Sequence, residues 1–110
     1  MISANSENIQ TVRDITAMSL KFEWNPKKAR KNIEKHGISF NEAATVFSDP
    51  LSMTFDDPDH SDDEERFIII GLSASGKLLM VSHTERNDTI RIISARKLTR
   101  EERKQHERKH

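Results

Sequence analysis

The run from residue 66 to residue 97 constrains the fold of this chain most. It carries three segments of strand character, 66–72, 77–85 and 89–97, separated only by Ser73-Ala74-Ser75-Gly76 and Arg86-Asn87-Asp88. Both gaps hold turn-forming residues and are hairpin length, so the three segments form an antiparallel meander. A sheet must bury at least one face against another layer, and the rest of the chain has to supply it.

Residues 20–24 alternate apolar and charged side chains, as a short half-buried strand does. A helix follows, with Asn25 as cap, Pro26 where a missing N–H costs little, and Gly37 at its left-handed end. Ala29 and Ile33 form its apolar stripe, and its lysines face water. A second helix opens on Ser39-Phe40-Asn41-Glu42, a capping box, turns Phe40, Ala43, Ala44 and Phe47 inward, and stops at Asp49-Pro50. Leu51, Met53 and Phe55 alternate with Ser52 and Thr54 as another strand. Residues 56–65 make an acidic loop around Pro58. Thr99-Arg100-Glu101-Glu102 is a further capping box, opening a last helix so polar that it should fray or dock on a partner. The order is strand, two helices, four strands, helix. It predicts an α+β domain: two N-terminal helices packed on one side of an antiparallel sheet of about four strands, with a C-terminal helix.

Residues 1–19 differ from the rest, being polar and rich in Asn, Ser and Thr. They read as an extension, either a short added helix on Ile9, Val12 and Ile15 or a tail, with Met18 as an alternative natural start; the domain proper spans 20–110. Hydrophobic residues make up 34% of the 110-residue chain and charged residues 33%, so the core is thin and a partner covering surface would add stability. The chain has no cysteine, which excludes disulfides, thiolate metal sites and cysteine nucleophiles. The apolar run Phe67-Ile68-Ile69-Ile70 is far too short to span a bilayer, and no basic-then-apolar leader opens the chain. The expectation is a soluble cytoplasmic protein without membrane contact.

Formal net charge is +0, yet the charges are segregated. Lys27, Lys28, Arg30, Lys31 and Lys35 crowd the first helix; Arg91, Arg96, Lys97, Arg100, Arg103 and Lys104 crowd the C-terminal part; the acids gather in 56–65. Such a field can steer an anion to one face. Within the meander, His83 and Glu85 are two apart and share a face, an acid–base pair that works near neutral pH. Arginines on the next strand can grip a phosphate bidentately. That set suits RNA cleavage by the ribose 2′-hydroxyl, which needs a base, an acid and cations around the phosphate, but no metal or cofactor.

The candidate catalytic residues are therefore His83, Glu85, Arg91 and Arg96, and the candidate RNA contacts are Arg66, Arg86, Lys97, Lys31 and Lys35. Which arginine faces His83 depends on the hairpin. A three-residue loop at 86–88 sets His83 opposite Arg91 and sends Arg96 to the other face; a two-residue loop at Asn87-Asp88 pairs His83 with Ile92 and brings Arg96 to the His83 face. No metal site is expected. The acidic loop fails the EF-hand pattern, since counting from Asp57 the glycine position holds Asp62 and the glutamate position Ile68. His83-Thr84-Glu85 echoes the His-X-Glu of zinc deaminases without the cysteines these require.

Phe22-Glu23-Trp24-Asn25, Lys28-Ala29, Asn32, Lys35-His36-Gly37-Ile38-Ser39-Phe40, Glu42-Ala43, Phe47-Ser48-Asp49-Pro50, Glu65-Arg66-Phe67, Gly71, His83-Thr84-Glu85-Arg86 and Arg91-Ile92-Ile93-Ser94-Ala95-Arg96 together resemble the BrnT toxins. The likeness keeps order and spacing from about residue 21 to 103. It implies a RelE-like fold and ribonuclease activity in a bacterial type II toxin–antitoxin system. It also implies a BrnA-like antitoxin with a ribbon-helix-helix domain, and operator DNA bound only through the complex. The rival reading is a non-enzymatic binding module that acts with a DNA-binding regulator.

Overall fold

The computed structural model describes residues 10–13, 20–58 and 65–108. Most of the N-terminal extension and residues 59–64 of the acidic loop, with the expectations made for them, lie outside the described residues. The elements are β1 (Gln10–Arg13), β2 (Lys21–Trp24), α1 (Pro26–His36), α2 (Phe40–Thr45) with a 3₁₀ turn at Val46–Ser48, β3 (Met53–Asp56), β4 (Phe67–Leu72), β5 (Leu78–Arg86), β6 (Thr89–Lys97) and α3 (Arg100–Arg108).

The strands form one sheet in the order β1-β2-β6-β5-β4-β3. The meander β4-β5-β6 is antiparallel as expected, and β3 adds to β4 in the same sense. The sheet as a whole is mixed, because β2 runs parallel to β6. Two helices separate β2 from the meander, a connection long enough for a parallel pairing, and this corrects the expected antiparallel sheet of about four strands. Within the extension, Gln10–Arg13 is an edge strand antiparallel to β2, where an added helix or a tail was expected.

Local signals held at most element ends. Asn25 Oδ1 accepts from the Lys27 and Lys28 N–H groups at 2.8 and 3.2 Å, and Gly37 closes α1 at φ 73°. The Ser39 hydroxyl accepts from the Glu42 N–H at 3.0 Å. The other half of that box is absent: the Glu42 carboxylate accepts from the Ser73 and Ser75 hydroxyls in the β4–β5 turn instead, which draws its pKa down. It thereby ties α2 to the meander.

α1 and α2 cover one sheet face. The core between them holds Phe22, Trp24, Ile38, Phe40, Ala43, Val46, Ile69, Leu79, Val81, Ile90, Ile92 and Ala95. The apolar stripe expected on α1 holds in part: Ala29 packs against the core, but Ile33 is 49% exposed, and Asn32 is buried in its stead. Its Nδ2 donates to Ile38 O and Ala95 O, both at 2.8 Å, and its Oδ1 accepts from the Ala95 N–H at 3.1 Å. β2 pairs with β6 only at Thr89, Ile90 and Arg91, so further along β6 this side chain takes the hydrogen bonds that a neighbouring strand would take. α3 lies on the opposite face, where Glu102, Gln105 and His106 line a groove with Phe55, Ile70 and Met80. Its polar sequence docks through Arg96 and the buried His106.

Candidate nucleic-acid interface

The β5–β6 hairpin decides where the candidate residues point. Its loop is Asn87-Asp88, with Asn87 at φ 55°, a left-handed conformation that Asn tolerates in tight hairpin turns. Glu85 pairs with Ile90, Thr84 with Arg91 and His83 with Ile92, as the two-residue reading requires. Ser82, however, pairs with Ser94, so Ile93 is an extra residue and the strand carries a β-bulge. Beyond the bulge Arg96 falls opposite Met80 rather than Leu79. It therefore moves to the face away from His83, correcting the expectation that the two-residue loop brings them together.

His83 is on the α1/α2 face and 1% exposed. Phe47 packs edge-on against its ring with centroids 4.8 Å apart, and the Phe67 ring is 5.8 Å away. Its Nδ1 donates to Val81 O at 3.4 Å, and Nε2 lies 3.5 Å from the Glu85 carboxylate without forming a hydrogen bond. Burial holds the His83 pKa below its ordinary value, outweighing the opposite pull of Val81 O and Glu85. His83 and Glu85 are thus neighbours, as their spacing implied. His83 is closed to solvent, and neither residue shares a face with the arginines.

The other face gathers the arginines. Glu23 pairs with Arg91 across β2 and β6, and Arg91 Nη1 donates to Glu23 Oε2 at 3.3 Å. Thr84 is the partner of Arg91 on β5, and Arg66, just before the Phe67–His83 pair, stands on the same side of β4. Strand alternation adds Arg86 near the hairpin tip. Further along, Arg96 Nη1 and Nη2 donate to the two oxygens of Glu102 at 2.8 and 3.0 Å. This clasp, with the Thr99 N–H, draws Glu102 down to about 2. The remaining candidates are elsewhere: Lys31 and Lys35 are exposed on α1, and Lys97 is exposed at the end of β6 opposite Leu79.

Glu23 and Thr84 were not singled out for chemistry from the sequence. The signal for Glu23 was present, since Phe22 and Trp24 both turn inward and leave it facing out. Thr84 had no such signal, because its importance depends on its cross-strand neighbours. Thr84 is 1% exposed, and neither its Oγ1 nor the buried Arg66 Nε has a hydrogen-bond partner among the described residues.

Residues 24–102 match the family described as the ribonuclease toxin BrnT of type II toxin–antitoxin systems. The fold is similar to the crystal structure of the Brucella abortus ribonuclease toxin BrnT, with a TM-score of 0.52 and 22% identity, covering 70% of this chain and 94% of that one. No curated protein matches the chain. Since the family match takes in both helices of the core layer and the whole meander, the chain belongs to the BrnT family of ribonuclease toxins of type II toxin–antitoxin systems.

Proposed function

We propose that this chain is a metal-independent endoribonuclease whose chemistry runs on the arginine face of the sheet. One observation carries this reading. Arg66, Arg86, Arg91 and Arg96 share the sheet face opposite α1 and α2, whereas His83 is buried on the other face between Phe47 and Phe67. α3 covers the Arg96 end of that face through Glu102, while Arg86 near the hairpin tip is exposed and Arg91 partly exposed, and such guanidinium groups suit the charge that develops on a reacting phosphate.

The 2′-oxygen attacks the adjacent phosphorus, the bond to the 5′-oxygen breaks, and a 2′,3′-cyclic phosphate forms. Arg91 holds the phosphate and stabilises the extra charge. Glu23, beside Arg91, takes the 2′-hydroxyl proton. Solvent returns a proton to the departing 5′-oxygen. His83 and Glu85 act from the other face as positioning residues: the histidine, wedged between Phe47 and Phe67, holds β5 where Thr84 and Arg91 meet.

The partner is a BrnA-like antitoxin with a ribbon-helix-helix domain, and operator DNA is bound only by the complex. The test is cleavage of RNA by the purified chain in excess EDTA, with the product ends identified. Products ending in 2′,3′-cyclic phosphate are expected. Products ending in a 3′-hydroxyl, or loss of cleavage on chelation, overturn the mechanism. Intact RNA in the presence of folded protein would favour the non-enzymatic binding module.

A further inference from the structure

We infer that Thr84 Oγ1 and Arg66 Nε form a seat for an RNA backbone phosphate, with Arg91 as its third wall. The inference rests on the ribonuclease reading for the identity of the ligand and on geometry for the site. Buried hydroxyl and guanidinium groups in folded proteins nearly always have hydrogen-bond partners, because leaving one without costs its full desolvation. Here two such groups lack a partner among the described residues. Thr84 is on β5 and Arg66 immediately precedes Phe67 of the neighbouring β4, so alternation puts both on one face, with Arg91 across from Thr84.

Their chemistry specifies the occupant. A guanidinium Nε–H only donates, and a threonine hydroxyl donates to whatever oxygen meets it. Two donors beside a second guanidinium suit an anion with several acceptor oxygens, which on RNA is the phosphodiester. The local charge agrees: Arg66 and Arg91 bring two positive charges to the row, and Glu23 offsets one of them through its pair with Arg91. A phosphate entering the seat competes with Glu23 for Arg91. It draws the guanidinium across Thr84 and releases the carboxylate to act as a base, so binding and activation are coupled.

The experiment compares the wild type with Thr84→Val, Thr84→Ser and Arg66→Lys. It measures affinity for a 2′-O-methyl RNA oligonucleotide, which has no 2′-hydroxyl to attack, and KM and kcat on unmodified RNA. Thr84→Val should bind about tenfold more weakly, with the loss appearing in KM. Thr84→Ser should stay within about twofold. Arg66→Lys keeps the charge but loses the Nε donor, and should weaken binding about as much as Thr84→Val. The melting temperature should not fall in Thr84→Val, since a methyl replaces a hydroxyl that has no partner in the fold; a clear fall would mean the hydroxyl is structural and would overturn the seat. Wild-type affinity in both Thr84→Val and Arg66→Lys overturns it too, and leaves the ribonuclease reading standing if RNA is still cut. Conversely, Thr84-dependent binding by a wild-type chain that cuts no RNA upholds the seat and removes that reading.

Discussion

Arg96 holds Glu102 through two parallel N–H···O bonds of 2.8 and 3.0 Å, and this clasp joins β6 to α3. Thr99 reinforces it: the Glu102 carboxylate accepts from the Thr99 N–H at 2.8 Å, and the Thr99 hydroxyl accepts from the Glu102 N–H at 3.1 Å. A helix without an apolar stripe is thus held by this clasp and its cap, together with the buried His106.

Acid should loosen the docking of α3. The Glu102 carboxyl is drawn from 4.5 to about 2, chiefly by Arg96. A carboxyl whose folded pKa is depressed stabilises the fold fully above its unfolded value and loses that contribution as pH falls through the folded one. The window is therefore about 4.5 down to 2, and the effect is modest because a third of the side chain is exposed. Amide exchange in α3 should accelerate across that window, and Glu102→Gln should show fast exchange already at neutral pH. Unchanged protection in Glu102→Gln would mean that His106 alone seats the helix.

Replacement of His83 should separate packing from chemistry. His83→Ala leaves a cavity between Phe47 and Phe67 and should cost on the order of 3 kcal/mol. His83→Phe fills the space and removes an Nε2 without a hydrogen-bond partner, so it should fold at least as well and keep cleavage within about tenfold. The pH dependence has a definite sign. With the folded pKa below 6.5, the unfolded chain takes up a proton that the buried imidazole refuses, so stability is full above 6.5 and declines as pH falls below it. Urea midpoints at pH 7.5 and 5.5 should show a smaller drop in His83→Phe than in the wild type. Loss of cleavage in a stable His83→Phe protein would return His83 to the chemistry.

Asn32→Ala should destabilise the protein more than Ile33→Ala, contrary to hydrophobicity. The first change strands Ala95 N–H and the Ile38 and Ala95 carbonyls and opens a cavity, together on the order of 3 kcal/mol. The second removes a side chain that is half exposed and should cost under about 1 kcal/mol. Chemical denaturation of the two variants checks the order.

Arg91→Ala should lower cleavage about a hundredfold, the loss of roughly 3 kcal/mol of transition-state stabilisation. Glu23→Gln should lower cleavage about a hundredfold or more, because an amide cannot take the 2′-hydroxyl proton. Arg96→Ala should act less on rate, its guanidinium being committed to Glu102. Lys31→Ala should act least, through screened long-range attraction. Rates measured at two salt concentrations decide this. If Lys31→Ala loses cleavage while both arginine variants keep it, the site lies on α1 and its assignment to the sheet is wrong.

The sequence by itself determined the elements from β2 onward. Alternation marked β2 and β3, strand character between short turns marked β4 to β6, Asn25, Gly37, Ser39 and Thr99 marked helix ends, and Arg86-Asn87-Asp88 marked a turn. Each of these signals acts over a few residues of one strand or helix, and so can be read along the chain. Which residues meet across the sheet was not determined that way. Register is a joint property of two strands, and one extra residue, Ile93, was enough to move Arg96 from the face of His83 to that of α3. The same holds for Asn32: a polar residue looks misplaced beside Ile33 until Ala95, 63 positions away, presents the backbone groups it satisfies. Tertiary structure alone set β2 parallel to β6, sealed His83 between two phenylalanines, and lined Thr84, Arg91 and Glu23 across three strands with Arg66 just ahead of β4. Those relations arise from packing and pairing between distant segments, whose energies no local pattern encodes.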